Sequence, residues 1–488
     1  MKPSTLVIRY RPGAFFKKSL ASLMKLTLVE RAIIVSQRRL HLKAQRCRVL
    51  VSDPILSQKT LNLILTEVQT KYLLLLPEDH AISVEAEALA RLLGKAESKK
   101  AGLVYSDFYD ESKSGKMLHP LNDYQLGSVP DDFDFGCMFL YLVPAIRKAL
   151  RKYGPTPDLK FAGLYDLRLK ISIDHSVYHL QEPLYSVTIT NPSVSDRMFA
   201  YVDPRNKATQ KEMEMVFTDY LKKIGAFVPG HRLRDVEETR KPFPLDASVI
   251  IPVKNRERTI AEAVKSALSQ KTDFPFNMIV VDNHSTDGTT TILSDLSRKY
   301  QRMNHVVPKR TDLGIGGCWN EALQHEACGR YAVQLDSDDL YSSPYALQKM
   351  VDMLRQENYA MVIGSYTLVD RELEKIPPGI INHCEWTDEN GHNNALRVNG
   401  LGAPRAFNTA LMRRIKFLNV SYGEDYAAAL RICREYRIGR IYKSLYLCRR
   451  WSGNTDAALS IEERNRNNAF KDKIRTAEIF ARQKMNRE

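Results

Sequence analysis

GRYAVQLDSDDLY, residues 329–341, decides how the rest of the chain is read. An apolar run, Tyr331 to Leu335, ends in three carboxylates, Asp336, Asp338 and Asp339. Acids at the carboxyl end of a buried strand sit at the rim of an open α/β sheet, where ligands bind. Alternate residues on such an edge reach both a divalent cation and a phosphorylated ligand. Magnesium or manganese is held there by one or two carboxylates, with the ligand's phosphates completing the shell. Asp-Ser-Asp-Asp is also a common turn composition, so a solvated acidic turn competes until the neighbours are read.

The neighbours alternate. Strand patterns fall at 247–253, 277–282, 304–307, 330–335 and 360–366, with helical patterns near 257–269, 288–300, 316–327 and 344–357. Near-continuous apolar strands between amphipathic helices predict a mostly parallel sheet covered on both faces. A charged, proline-bearing stretch at 226–246 reads as a linker. Before it the same plan recurs. TKYLLLLPEDH (70–80) matches GRYAVQLDSDD at an offset of 259, placing Asp79 on Asp338. YSD (105–107) and GLYDLRL (163–169) match at the same offset, placing Asp166 on Asp425, and an internal duplication is expected. The first copy has IVSQ (34–37) for VVDN and PEDH (77–80) for DSDD, so it reads as degenerate. VPDDFDFG (129–136) is the stretch that would belong to a working site there.

The 488 residues carry 72 Lys and Arg against 57 Asp and Glu, a formal net charge of +15. Such a surface attracts phosphorylated molecules, anionic membrane or nucleic acid, and no nucleic-acid motif accompanies it. Basic clusters lie at Arg38, Arg39, Lys43, Arg46 and Arg48 and in the tail 456–488. In that tail Phe470, Ile474, Ala477, Ala481 and Met485 share one helical face, the pattern of a helix lying on an anionic lipid surface. No apolar run approaches the roughly 18 residues of a membrane span, and MKPSTLVIRY lacks the apolar core of a secretory signal. Seven scattered cysteines without a CxxC pair fit a reducing compartment and argue against structural zinc. A cytoplasmic protein is expected, with peripheral contact at the inner membrane face left open.

Four further motifs converge on the second half. SVIIPVKNRERTI (248–260) is a strand that stops at Pro252 and exposes Lys254, Asn255 and Arg256 at the sheet edge. VVDNHSTDGTT (280–290) ends a strand on Asp282, which is suited to a ribose hydroxyl or a base N–H, or is itself a turn residue. LGIGGCWNEAL (313–323) sets Gly316 before a helix bearing Asn320. It is neither a Walker loop nor a Rossmann fingerprint, and close approach to a ligand and a simple turn both fit. YGEDYAAALRI (422–432) opens a helix with Glu424 and Asp425, where the dipole favours an ionised carboxylate, the form a general base needs. CRRWSGN (448–454) follows, with arginines able to offset charge on a departing diphosphate.

Taken in order over 247–455, SVIIPVKNR, VVDNHSTDGT, LDSDD, GED and RRWSGN resemble the family-2 glycosyltransferases of GT-A fold. The resemblance implies an α/β, Rossmann-like nucleotide-diphospho-sugar transferase fold, here as tandem domains: 1–225 (degenerate), 226–246 (linker), 247–455 (catalytic) and 456–488 (tail). It implies inverting, metal-dependent transfer of a sugar from a nucleotide-diphosphate donor to an acceptor hydroxyl, in bacterial surface polysaccharide or glycolipid assembly, with a glycan or lipid-linked acceptor. Asp425 takes the place of the catalytic base, with Glu424 beside it. Asp338 is the expected Mn2+ or Mg2+ ligand, with Asp336 and Asp339 as further acids and Asp336 near the ribose. Donor contacts fall to Pro252, Val253, Asn255, Asp282, Asp336, Gly316, Asn320, Arg449, Arg450 and Trp451. NGLGAPRAF (399–407) lies where the family builds its acceptor and diphosphate site. Asn283 departs from the pattern where many members have a second Asp. His383 and His392 read as solvent-facing loop histidines or, less simply, as a further metal ligand. A bifunctional enzyme with two active sites, a non-catalytic nucleotide-sugar-binding pseudoenzyme and a nucleotidyltransferase are the rival readings.

Overall fold

The computed structural model describes residues 3–40, 45–52, 55–77, 80–85, 87–155, 158–188, 206–237, 242–383, 386–451, 454 and 459–488. It divides into two compact units. The first comprises Met1–Ala200, Arg205–Phe227 and Ser460–Glu488, and the second Tyr201–Pro204 and Val228–Leu459.

The strands of the first unit are β1 (Ser4–Arg9), β2 (Val29–Ser36), β3 (Cys47–Val51), β4 (Tyr72–Leu76), β5 (Ala81–Val84) and β6 (Leu103–Ser106). They continue with β7 (Phe108–Ser112), β8 (Gly115–His119), β9 (Phe139–Leu142), β10 (Val177–Leu180) and β11 (Tyr185–Thr188). Seven of them form one sheet in the order β10-β6-β9-β4-β1-β2-β3, and β5-β11-β7-β8 form a smaller one. In the large sheet β9 runs antiparallel to β4 and β6, and the other pairings are parallel.

The second unit has β12 (Ala247–Val253), β13 (Phe276–Asp282), β14 (Met303–Val306), β15 (Tyr331–Gln334) and β16 (Leu340–Tyr341). Then come β17 (Met361–Val369), β18 (Lys375–Ile381), β19 (Arg405–Asn408) and β20 (Ile438–Arg449). Their order is β14-β13-β12-β15-β19-β17-β20-β16, with β18 on β17. β12 to β15 pair in parallel, β19 is antiparallel to β15 and β17, and β20 is parallel to β17. Central strands such as β13 are buried at every position, as a sheet covered on both faces requires.

Read from β3 and from β14, seven strands follow the same order with the same directions. The common offset of 259 does not extend along them. Tyr72 and Tyr331, heading β4 and β15, are 259 apart, but Leu103 and Met361, heading β6 and β17, are 258 apart. Phe139 and Arg405, heading β9 and β19, are 266 apart, and Gly163 and Glu424, heading the helices before β10 and β20, are 261 apart. Asp166 is therefore the fourth residue of its helix where Asp425 is the second, and the match of Asp166 to Asp425 fails. Asp166 is buried against Lys170 at 2.9 Å. Asp79, the other acid expected to survive in the first copy, lies outside the described residues, as do Glu78, Lys43 and Cys384. The remaining six cysteines are free thiols.

The tail is a helix, Ile461–Met485, opened by a Ser460/Glu463 capping box. It counts with the first unit rather than standing apart. Its buried stripe is not the apolar one read from the sequence: Asp472, Arg475, Glu478, Ile479 and Arg482 face inward, while Ala477 and Phe480 are exposed. Charge can be buried here because it is paired, Arg475 with Asp472 at 2.8 Å and Arg482 with Glu478 at 2.9 Å. Ser128 Oγ donates to Asp472, and the Gly127 N–H donates to Thr476 Oγ1. A Cβ on Gly127 would lie 2.0 Å from the Asp472 carbonyl oxygen, so only glycine allows this approach. Among the described residues no helix is long and apolar enough to cross a membrane.

Candidate active site

The carboxyl edge of the second sheet collects the site. After β12 the chain turns through Asn255 with a left-handed φ of 55°. The Asn255 Oδ1 accepts from the Thr286 N–H at 2.7 Å, and the Asn255 N–H donates to Ser285 Oγ at 3.0 Å. The turns after β12 and β13 are thus laced together. Pro252 is half-buried and Val253 buried, and the Val253 carbonyl accepts from the Asn283 N–H.

The acids after β15 share this edge. Both Asp336 oxygens accept from Gln334 Nε2, at 2.9 and 3.1 Å, and the Asp336 N–H donates to the Tyr446 hydroxyl. Asp338 is lightly held: Trp451 Nε1 and Asn454 Nδ2 lie 3.4 and 3.3 Å from its Oδ2, and Arg256 Nε lies at 3.7 Å. Asp339 is buried and accepts from the Arg449 N–H at 2.8 Å. Burial, then the charges of Asp336 and Asp338, push the Asp339 carboxyl well above the usual range. Burial also raises Asp336, against Gln334 and Arg405.

The opposing wall is the helix Glu424–Glu435. Asp425 ion-pairs through Oδ2 with Arg405, and its Oδ1 accepts from the Tyr426 N–H. Glu424 is buried, and its Oε2 has no hydrogen-bond partner. Burial and then the adjacent Asp425 push its carboxyl up to about 8. Arg405 also feels Asp336 and Glu424, so one guanidinium lies between the strand-edge acids and the helix pair.

Arg405 is the residue sequence reasoning missed, apart from the stretch 399–407 around it. Its signal was a lone arginine heading the short strand RAFN. Gln334, Tyr446 and Asn454 were not singled out either, although Asn454 lies within CRRWSGN.

Several expected donor contacts are turned inward instead. Asp282 has no exposed surface, and its oxygens accept from the Ser285 N–H at 3.0 Å and Thr290 Oγ1 at 2.6 Å. Burial opposes ionisation, but His305, Ser285 and Thr290 outweigh it and hold the carboxyl far below its ordinary range. Asp282 thus shapes its own loop. Asn320 bonds both backbone groups of Phe417, at 2.9 Å each. A Cβ on Gly316 would lie 1.9 Å from the Leu418 carbonyl oxygen, so this glycine admits the close approach of Leu418 and Glu424. Arg449 is buried and ion-pairs with Glu262, whereas Arg450 is half-buried. His383 and His392 do not face solvent: both are 2% exposed, and the His392 Nε2 lies 2.7 Å from the Val228 carbonyl.

Among the described residues no group of three potential ligands is placed to hold a metal ion. The strand-edge acids nevertheless fit a cation that takes one or two carboxylates and completes its shell from a ligand's phosphates. Asp338 is loosely tethered, and a bound cation would offset both the burial and the neighbouring charges of Asp336 and Asp338 that raise Asp339.

The carboxyl edge of a mostly parallel α/β sheet is where such folds bind ligands, and here that edge is lined with acids. Residues 248–420 match the family model described as glycosyl transferase family 2. EpsE of Bacillus subtilis strain 168, which bears a glycosyltransferase name, is 35% identical over 122 residues, 25% of this chain and 43% of EpsE. WfgD of Escherichia coli, named a UDP-Glc:alpha-D-GlcNAc-diphosphoundecaprenol beta-1,3-glucosyltransferase, is 26% identical over 196 residues, 40% of this chain and 72% of WfgD. The chain spans less than half the length of EpsE and of TuaG from the same Bacillus strain, 43% and 48%. Staphylococcus aureus TarS 1–349 with UDP-GlcNAc overlaps 49% of this chain and 72% of its own at 22% identity, with a TM-score of 0.36, too loose to be built on.

Proposed function

We propose that the second unit is an inverting, metal-assisted glycosyltransferase. It moves a sugar from a nucleotide-diphosphate sugar to an acceptor hydroxyl in bacterial surface polysaccharide or glycolipid assembly. The observation that carries this reading is the sheet edge where Asp336, Asp338 and Asp339 follow β15 and where Arg405, ion-paired with Asp425, also feels Asp336.

Asp425 takes the proton of the acceptor hydroxyl. The oxygen bonds to the anomeric carbon on the face opposite the diphosphate, and the bond from that carbon to the phosphate oxygen breaks, its electron pair leaving with the nucleoside diphosphate. Mn2+ or Mg2+ held by Asp338, with Asp336 beside it, would stabilise the charge that develops on the departing diphosphate. Arg256 and Trp451 line the same edge and orient the donor. A uridine diphosphate sugar is the first donor to try, since WfgD is named for UDP-Glc.

The first unit reads as a degenerate copy, a reading supported by the shared strand order and by IVSQ (34–37) standing where the second unit has VVDN. A lipid-linked acceptor and a cytoplasmic place at the inner membrane face fit the exposed Lys473, Phe480 and Lys484 of the tail helix and Arg487 just beyond it.

Screening nucleotide sugars with manganese for nucleoside diphosphate release tests the activity. Asp425→Asn is expected to abolish transfer while donor binding persists. Turnover at the wild-type rate in that variant would remove Asp425 as base.

A further inference from the structure

The two acidic walls of the cleft come from elements far apart in sequence, and Arg405 stands between them. It heads β19, where it pairs with Ile363 of β17, and the next residue, Ala406, is paired on both edges, to Val333 of β15 and Val362 of β17. Its side chain is only 14% exposed. A guanidinium so enclosed needs an acidic partner: Asp425 ion-pairs with it, and Asp336 acts on it through its charge. The Asp425 carboxylate in turn is held at both oxygens, by Arg405 and by the Tyr426 N–H. Arginine suits this place because its rigid planar fork can hold one carboxylate while facing a second, which the single ammonium of lysine does less well.

We infer that Arg405 is a positioning residue for group transfer, fixing the Asp425 carboxylate at a set spacing from the strand-edge acids. The inference rests on the glycosyl-transfer reading above. Without Arg405 the proton acceptor swings free of the donor side, and a misplacement of about 1 Å costs about 100-fold in rate.

The test uses the full chain with manganese and three probes: UDP-glucose, UDP-N-acetylglucosamine and GDP-mannose. Arg405→Met is expected to lower kcat about 100-fold, with the donor KM changed by less than about threefold. Arg405→Lys should recover about tenfold of that loss, because a cation remains. The Arg405→Met/Asp425→Asn double variant should be no more than about threefold slower than Asp425→Asn alone, since the two act as one unit.

The inference is overturned if Arg405→Met keeps wild-type kcat, if its loss lies wholly in KM, or if lysine does no better than methionine. Asp425→Asn separates the two levels. Normal turnover there removes the reading beneath, whereas an inert Asp425→Asn beside a normal Arg405→Met removes this inference alone. Thermal melting gives a readout independent of any donor. The double variant should melt no lower than the less stable single variant, and additive losses would show that the pair does not form.

Discussion

Replacing Glu424 by glutamine should flatten the pH dependence of stability in the second unit. Glu424 is 8% exposed, and its carboxyl is pushed from an ordinary 4.5 up to about 8. A carboxyl raised by folding supports the folded state fully below its unfolded pKa and loses that support as pH climbs through its folded value. The window therefore runs from about 4.5 to about 8, with stability falling by up to about 1.4 kcal/mol per pH unit. From 4.5 to 8 is about 3.5 pH units, so the group removes at most about 5 kcal/mol across the window. Glutamine keeps the shape and carries no titrating proton, so its curve should lack this slope. The assay is denaturant unfolding at pH 5, 6, 7 and 8 with chelator present. Trp319, Trp386 and Trp451 are the three tryptophans of the sequence, so their fluorescence reports this unit alone. Parallel wild-type and Glu424→Gln curves from pH 5 to 8 would refute the claim that Glu424 is buried uncharged.

Two other outcomes follow from the same geometry. Asp338→Ala should weaken manganese-dependent binding of UDP more than about tenfold by calorimetry, while binding without metal changes little. Gly127→Ala should cost about 1–3 kcal/mol through overpacking against the helix Ile461–Met485, read as a lowered melting temperature and faster proteolysis of residues 460–488.

Much of the second sheet was legible because parallel strands buried on both faces announce themselves as apolar runs. β12 was read to its end residues, and β13, β14, β15 and β17 were found within a few residues. The acids after β15 and the pair at 424–425 stood out in sequence because the first follow a strong apolar run and the second open a helical one. Arg405 was not, because the reading looked for site residues at the carboxyl ends of strands. β19 runs antiparallel to β15, so its first residue, not its last, reaches that edge. Gly316 and Asn320 meet neighbouring chain here, and a close approach of chain to chain uses the same residue types as a close approach to ligand. The tail misled for another reason. Hydropathy treats Asp472, Arg475, Glu478 and Arg482 as solvent-facing, whereas reciprocal pairing lets them go under. His392 was hidden likewise, satisfied by a main-chain carbonyl at 2.7 Å.

The helix Ile461–Met485 also imposes a schedule on biogenesis. A ribosome must make residues 228–459 before the segment that seats against Gly127 and Ser128 exists at all. The amino-terminal unit therefore waits, with the groove beside Gly127 open, while the later unit is synthesised and free to collapse.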